Sequence, residues 1–151
     1  MLESINYIEQ YLIQPIESML KNEELFPAMV YASIGIETLG ALIDDKPIRA
    51  KAQSKTRFAT ALYHLFPNQY GFINKNSFLY EALRNHIAHN LIPSSLLNFI
   101  EINSASNLHL KKTGSQVDFV IEQFLKDYLN ACRLVITQIE NQSIRSKKIA
   151  F

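Results

Sequence analysis

Apolar residues recur at helical spacing over most of the chain, and this pattern predicts a mainly helical protein. A first apolar stripe covers residues 5–20, where Pro15 forces a kink or a restart. The segment 28–43 is apolar nearly all round, which favours a central buried helix over a membrane span because acids rather than lysines flank it. Further helices are predicted at residues 50–65, 79–91 and 117–139, with a loop at 67–76 and Ser77 as the N-cap of the helix at 79–91.

One stretch departs from the helical pattern. Apolar and polar residues alternate on either side of 103–107, which predicts two strands joined by a hairpin loop. Ser115 and Asp118 then resemble a capping box at the start of the last helix. We therefore expect an all-α bundle of four or five helices, in a single domain over residues 1–151, with one small β-hairpin before the C-terminal helix and a loose tail at 143–151. The expected core includes Ile34, Leu39, Phe58, Leu83, Ile87, Phe124 and Tyr128.

Composition bears on the size of the core and on the expected location of the protein. A chain of 151 residues with 48% hydrophobic content is large enough to bury one substantial core. Cys132 is the only cysteine, so no intramolecular disulfide can form, and its place on an apolar helix stripe indicates a small core residue. The N-terminal residues lack the pattern of a secretion signal. We expect a cytoplasmic protein that does not contact a membrane.

Charge is divided unevenly along the chain. Residues 1–45 carry a net charge of −7, residues 46–80 carry +6 and the remainder carries +2. The basic segment runs into an aromatic-rich one, a combination that nucleic-acid surfaces use for phosphate attraction and base stacking. The alternative is a solvated helix face beside core aromatics. The candidate RNA-binding cations are Lys46, Arg49, Lys51, Lys55 and Arg57.

The helix predicted at 79–91 concentrates groups capable of chemistry: Arg84, Asn85, His86 and His89. In an α-helix Arg84 and His89 are about 140° apart around the axis, so the long arginine must swing across Ala88 for a phosphate to fit between them. His86 falls on the apolar stripe and is expected to be a hydrogen-bonded core residue. Arg84 has a structural alternative, which is an ion pair with Glu81 or with Glu37.

The spacing R-N-x-x-x-H, with a small residue before the histidine, resembles the R-x4-6-H signature of the HEPN superfamily, named for higher eukaryotes and prokaryotes nucleotide-binding. The resemblance to uncharacterised bacterial members spans residues 25–142 and includes the segments Ile36–Gly40, Phe66–Tyr70 and Leu79–Tyr80. In toxin members paired with a nucleotidyltransferase antitoxin, a tyrosine often stands two places after the motif histidine. Leu91 occupies that place here, which puts regulation by modification there in doubt.

The resemblance implies a metal-independent endoribonuclease that needs no cofactor. His89 would move protons, Arg84 would hold the phosphate and Asn85 would orient either group, with Glu37 and Glu81 as supporting carboxylates. It also implies a homodimer in which two copies of the motif face each other across a composite site. RNA and an antitoxin or regulatory protein are the expected partners.

Three other interpretations compete with the ribonuclease. His86 and His89 supply two imidazoles of a metal site, with His64 and His109 as possible outside ligands, but two ligands do not close a zinc site. A nucleophile triad lacks its strand-to-helix elbow. The stronger alternative is a non-catalytic homodimeric helical module that binds a nucleotide or a protein partner, because fold resemblance does not establish activity.

Overall fold

The computed structural model describes residues 2–100 and 108–149, and most of them are helical. The α-helices are α1 (Leu2–Tyr7), α2 (Gln14–Lys21), α3 (Leu25–Ile43), α4 (Ser54–Leu65), α5 (Asn68–Ile73) and α6 (Ile121–Glu140). Two stretches have the wider π geometry: Ile8–Ile13, and Tyr80–Ala88, which we call the motif helix. A 3₁₀ turn spans Lys75–Ser77. The prediction of a mainly helical protein is confirmed.

The first helical stripe is interrupted where the sequence predicts it. Pro15 lies in the first turn of α2, where its missing N–H group costs no helical hydrogen bond. The π stretch Ile8–Ile13 comes directly before it and buries Ile8, Leu12 and Ile13. The chain therefore restarts as α2 without losing its apolar face.

Helix α3 is the centre of the fold because its sequence is apolar on nearly every side. It packs against α4, α6 and the motif helix. A Cβ atom on Gly40 would lie 2.0 Å from the carbonyl oxygen of Arg57 in α4, and one on Gly35 would lie 2.0 Å from the Tyr128 hydroxyl in α6. Length and composition alone would allow α3 to cross a membrane, but 56% of its apolar window is buried inside the fold.

The strands form a three-stranded sheet rather than the predicted hairpin. They are β1 (Leu97–Phe99), β2 (Lys112–Thr113) and β3 (Gln116–Phe119), in the order β1-β3-β2. Strand β1 runs parallel to β3, whereas β2 and β3 form a tight antiparallel hairpin. The turn between β2 and β3 contains Gly114 at φ +64°, a left-handed conformation that glycine adopts without steric cost.

Two predictions for this region are wrong. The predicted pairing of residues around 98–102 with 108–112 is replaced by parallel pairing of Leu97 with Val117. The capping box is also absent, because Ser115 precedes β3 and Asp118 belongs to it, accepting hydrogen bonds from Asn98 and Thr113. Helix α6 begins at Ile121 instead. The predicted hairpin loop at 103–107 lies outside the described residues.

The segment before the motif helix is more ordered than the predicted loop at 67–76. It contains α5 and the 3₁₀ turn. Ser77, the predicted N-cap, has a positive φ of 61° and makes no cap hydrogen bond, whereas the side-chain oxygen of Asn74 accepts one from the Tyr80 amide at 3.1 Å. Asn74 therefore satisfies a donor at the start of the motif helix.

The core agrees with the sequence pattern except at one position. Ile34 is 46% exposed and lines shallow surface cavities, so its predicted burial is wrong. The expected core residues that are fully buried are Leu39, Phe58, Leu83, Ile87, Phe124 and Tyr128.

The prediction of a loose tail is wrong for residues 143–149. The ammonium group of Lys147 donates hydrogen bonds at 2.6 Å to the Ala41 carbonyl and to the Asp44 carboxylate, at the end of α3. Ile149 is buried in the core, and its amide donates to Glu3 at 3.0 Å. The segment is held by these contacts, which no local hydrophobic period predicts.

Candidate functional site

The π geometry of the motif helix brings together the two residues of the R-x4-H motif. A π-helix bonds residue i to residue i+5, so residues five apart lie on nearly the same face. Arg84 and His89 have this separation, and Arg84 Nη1 lies 2.7 Å from His89 Nε2. The large angle expected from an α-helix is therefore removed by the backbone, and the guanidinium reaches the imidazole directly.

This contact fixes the protonation of one imidazole nitrogen. A guanidinium has only donors, so the Arg84–His89 hydrogen bond requires Nε2 of His89 to be the acceptor. The proton of the neutral imidazole then resides on Nδ1. His89 is exposed, so this acceptor nitrogen lies at the protein surface beside a permanent cation.

Arg84 is held from the opposite side by Glu37 of α3. Its Nε lies 3.2 Å from Glu37 Oε2, and Ser54, the first residue of α4, donates to Glu37 Oε1 at 2.7 Å. The side chains of Arg84 and Glu37 are 20% and 26% exposed. Within the described part of the chain, Arg84 Nη2 has no partner, so this pair leaves N–H donors available to an anion.

The remaining residues of the motif helix separate into two groups. Asn85 donates to Glu81 at 2.8 Å and forms a pair of its own, distinct from the Arg84–His89 contact. His86 is exposed, so its predicted role as a core histidine is wrong. The reason is again the π geometry, which changes the faces that a 3.6-residue period assigns.

Arg57 does not belong to the candidate RNA surface. Its side chain is buried in an ion pair with Asp44 at 2.7 Å, and it also donates to the carbonyls of Pro47 and Ile48. Burial by itself raises the pKa of Asp44, but hydrogen bonds from Arg57 and Lys147 outweigh it and hold that pKa below its usual value. Arg57 is therefore a structural residue that joins α4 to the end of α3.

The other four basic candidates are exposed. Lys46 donates to Gln53, and Arg49, Lys51 and Lys55 lie on the surface of the same segment. Lys55 directly follows Ser54, the residue that bonds Glu37. The start of α4 thus places one cation close to the motif.

An exposed apolar patch lies beside the motif. Leu91 and Ile92, just after His89, are 64% and 63% exposed. A shallow cavity of about 370 Å³ connects Leu91 to α3. We call this surface the apolar rim; it consists of Phe26, Val30, Ile34 and Leu91.

A second polar cluster was missed at the sequence level. Tyr70 of α5 is within hydrogen-bond distance of His109 Nε2, at 2.7 Å, and of the Asp127 carboxylate of α6, at 2.8 Å. His109 Nδ1 accepts from the Val120 amide at 3.0 Å, so the neutral ring carries its proton on Nε2 and donates it to Tyr70. Asp127, an acid between Phe124 and Tyr128 on the apolar face of α6, was the available signal.

The environment of this cluster keeps His109 and Tyr70 neutral. Burial lowers the pKa of His109 to about 4. Burial, with the charge of Asp127 as a second cause, raises the pKa of Tyr70. Burial also raises the pKa of Asp127, although hydrogen bonds from Tyr70 and Gln123 act against it. Both nitrogens of His109 are occupied, so this histidine has no open position for a substrate or a metal.

The metal hypothesis gains no support from the geometry. Within residues 2–100 and 108–149, no group of three or more His, Cys, Asp or Glu side chains is arranged to hold a metal ion. His109 is committed to Tyr70 and Val120, and His64 packs against the ring of Tyr63. These outside histidines therefore do not complete a site with His86 and His89.

Comparison of the chain with protein-family models, with curated proteins and with solved structures found no match.

Proposed function

We propose that the protein is a metal-independent endoribonuclease of the HEPN type. The observation that carries the proposal is the 2.7 Å contact between Arg84 and His89 on the π-helical motif, with Arg84 oriented by Glu37. The residue types suit the reaction, because imidazole exchanges protons near neutral pH and guanidinium keeps its charge as the phosphate gains negative charge.

In the proposed reaction an RNA phosphate takes the Arg84 N–H groups and releases His89 Nε2. That nitrogen removes the proton of the ribose 2′-hydroxyl, whose oxygen attacks phosphorus while the bond to the 5′-oxygen breaks. The leaving oxygen receives a proton from the imidazolium of His89 or of a second copy. The products are a 2′,3′-cyclic phosphate and a free 5′-hydroxyl.

The apolar rim supports a homodimer with a shared site. Exposed apolar patches rimmed by polar groups are common at protein interfaces, and this one adjoins His89. A two-fold axis through the rim would bring a second Arg84–His89 pair next to the first. Ile34→Glu should convert the dimer to a monomer in light scattering. Leu134→Glu is the matched control, because Leu134 is 38% exposed on α6, outside the rim.

A cleavage assay on single-stranded and structured RNAs tests the nuclease proposal. Arg84→Ala and His89→Ala should each lower the rate by ~10²–10⁴ without changing the melting temperature. His86→Ala is the matched control, because this exposed histidine lies on the same helix but takes no part in the Arg84–His89 or Arg84–Glu37 hydrogen bonds. A chelator should have no effect, and end analysis should find the cyclic phosphate.

One observation favours a second candidate, a non-catalytic homodimeric module for a nucleotide or protein partner. Arg84 already has a carboxylate partner in Glu37, which a purely structural arginine would also have. If the purified dimer leaves all RNAs intact over a broad pH range, or loses no activity in the Arg84 and His89 variants, this second candidate replaces the nuclease.

A further inference from the structure

We propose that a groove around Phe72 binds single-stranded RNA, with a base stacked on the Phe72 ring and the backbone phosphates on nearby lysines. The choice of RNA rests on the proposed function, but binding is measured separately from cleavage. We call this surface the Phe72 groove; it is defined by Phe72, Ile73, Lys75, Lys111 and Lys112.

The groove consists of two cavities that have lining residues in common. One, of about 500 Å³, lies between the 3₁₀ turn, the motif helix and the sheet, and the other, of about 630 Å³, lies between α5 and the segment at His109. Phe72, Ile73 and Lys112 line both. The two cavities therefore adjoin, and together they form the Phe72 groove.

Phe72 is the natural stacking platform. Its side chain is 79% exposed, more than any other large apolar side chain among the described residues. Every base has a π face, so an exposed ring binds single strands with little sequence preference. A ring this exposed contributes little to the core, so its face is accessible to a base.

The charge of the groove fits a polyanion. Lys75, Lys111 and Lys112 are exposed, and within residues 2–100 and 108–149 none of their ammonium groups has an ion-pair partner. Glu81 is the only acid lining either cavity within those residues, and it already accepts a hydrogen bond from Asn85. Asn68 and Gln69 add amides that can bond to base edges.

The platform is rigid before any ligand arrives. Tyr70, two residues from Phe72, ties α5 to His109 and to Asp127 of α6. Lys111 directly precedes β2, and its carbonyl accepts a hydrogen bond from the Asp118 amide of β3 at 2.8 Å, so the sheet holds the backbone that carries Lys111 and Lys112. Pre-organised groups lose little conformational entropy on binding, which favours affinity.

One end of the groove lies at the motif helix. Glu81, which lines that end, is bonded to Asn85 and comes three residues before Arg84. We therefore expect a strand in the groove to run toward the helix that carries Arg84. This direction distinguishes the Phe72 groove from the basic segment 46–55, which approaches the motif from α4.

Fluorescence of Phe72→Trp tests the stacking, because the chain has no tryptophan of its own. Adding a single-stranded RNA of about 12 nucleotides should quench the emission of this variant. Leu134→Trp is the matched control, since Leu134 is 38% exposed on α6 and lines neither cavity of the groove, and the emission of this variant should not change. Equal quenching of both variants, or quenching of neither, would overturn the proposal.

Anisotropy with labelled RNA gives the affinity, using His89→Ala so that no strand is cut. In that background Phe72→Ala should weaken binding roughly 10- to 100-fold, and Lys75→Gln and Lys112→Gln should each reduce the salt slope by about 0.7. Lys21→Gln, a neutralisation at an exposed site on α2, should leave the slope unchanged. Phe72→Ala binding as tightly as its parent overturns the groove even if the wild type cleaves RNA.

The two proposals fail separately. A protein that binds RNA through Phe72 but never cuts it supports the groove and contradicts the nuclease. Cleavage with an unchanged KM in Phe72→Ala supports the nuclease and contradicts the groove. If Phe72→Trp emission shifts to the blue with protein concentration in the absence of RNA, a second copy covers the ring and the groove proposal is wrong.

Discussion

His89 and His109 belong to the same chain but have opposite surroundings. His89 is exposed, and its Nε2 accepts one hydrogen bond from a cation that a substrate could displace. His109 is buried, and its nitrogens bond Tyr70 and the Val120 amide, neither of which can leave without disrupting the fold. The comparison shows that a histidine is a candidate catalytic residue when a substrate can displace its hydrogen-bond partner. Its pKa alone does not decide this.

The largest expected effect separates these two histidines. His89→Ala should lower RNA cleavage by ~10²–10⁴ while leaving the melting temperature within about 2 °C. His109→Ala should lower the melting temperature by roughly 5–15 °C, because it removes two buried hydrogen bonds and leaves the Val120 amide unsatisfied. Thermal melts and rate assays on both variants provide the measurement, and a His109 variant with full stability would contradict the comparison.

Acid should destabilise the protein through His109. The folded pKa is about 4, below the ordinary value of 6.5, so between these pH values the unfolded chain binds a proton that the folded chain does not. Stability is therefore present above pH 6.5 and is lost as the pH falls toward 4, by up to about 3 kcal/mol. The pKa of Asp127 is raised, so protonation of this carboxyl in the folded state restores part of the lost stability as the pH falls toward 3.8, its ordinary pKa.

Urea unfolding between pH 7 and 4.5 measures that slope. His109→Gln retains a polar side chain but cannot titrate, so its stability should change less over this range. Equal slopes in the wild type and in His109→Gln would assign the acid sensitivity to other groups. The range stays above pH 3.8, the ordinary pKa of Asp44, below which the stability contributed by its lowered pKa is lost.

Tyr70→Phe should cost about 1–3 kcal/mol of stability, because it leaves Asp127 and His109 without their shared partner. Phe66→Leu is a suitable control for a conservative change in the same segment, since Phe66 packs on the Tyr70 ring without bonding Asp127. Calorimetry gives the difference. If Tyr70→Phe is as stable as the wild type, the hydroxyl does not hold the cluster together.

Of these substitutions, Glu37→Gln should have the smallest effect on stability and on cleavage. Its ion pair with Arg84 is partly exposed and is worth at most about 1 kcal/mol to the fold. Cleavage should fall roughly tenfold through kcat, because Arg84 loses its orienting charge but keeps its own. Ser54→Ala removes only the hydrogen bond that Ser54 donates to Glu37, so it should lower kcat by less than Glu37→Gln does.

The sequence predicts the α-helices well because burial dictates their period. Phe58, Phe124 and Tyr128 are buried where the 3.6-residue pattern places them. The parallel strand pair is different, because Leu97 and Val117 meet across 20 residues and no local pattern encodes that contact. The same limit applies to the tail, where Lys147 finds its partners on α3.

The candidate site was predictable in composition but not in geometry. The sequence places Arg84 and His89 on one helix and offers Glu37 as a partner for the arginine, and the structure contains that pair. It did not reveal the π geometry, which depends on how the motif helix packs, and which moved His86 from the expected core to the surface. Arg57 illustrates the converse, because a cation in a basic segment is buried once Asp44 faces it.

The contacts of the last described segment also set the order in which the chain can finish folding. Ser4 donates to the Lys147 carbonyl at 2.7 Å, and Asp44 receives its second cation from Lys147. During synthesis α1 and the end of α3 leave the ribosome more than 100 residues before these partners. Their contacts with Lys147 can form only after α6 has been synthesised. The last contacts of the fold are therefore late and non-local. Co-translational chaperones would encounter an N-terminal half that is helical but has not yet bound the C-terminal segment.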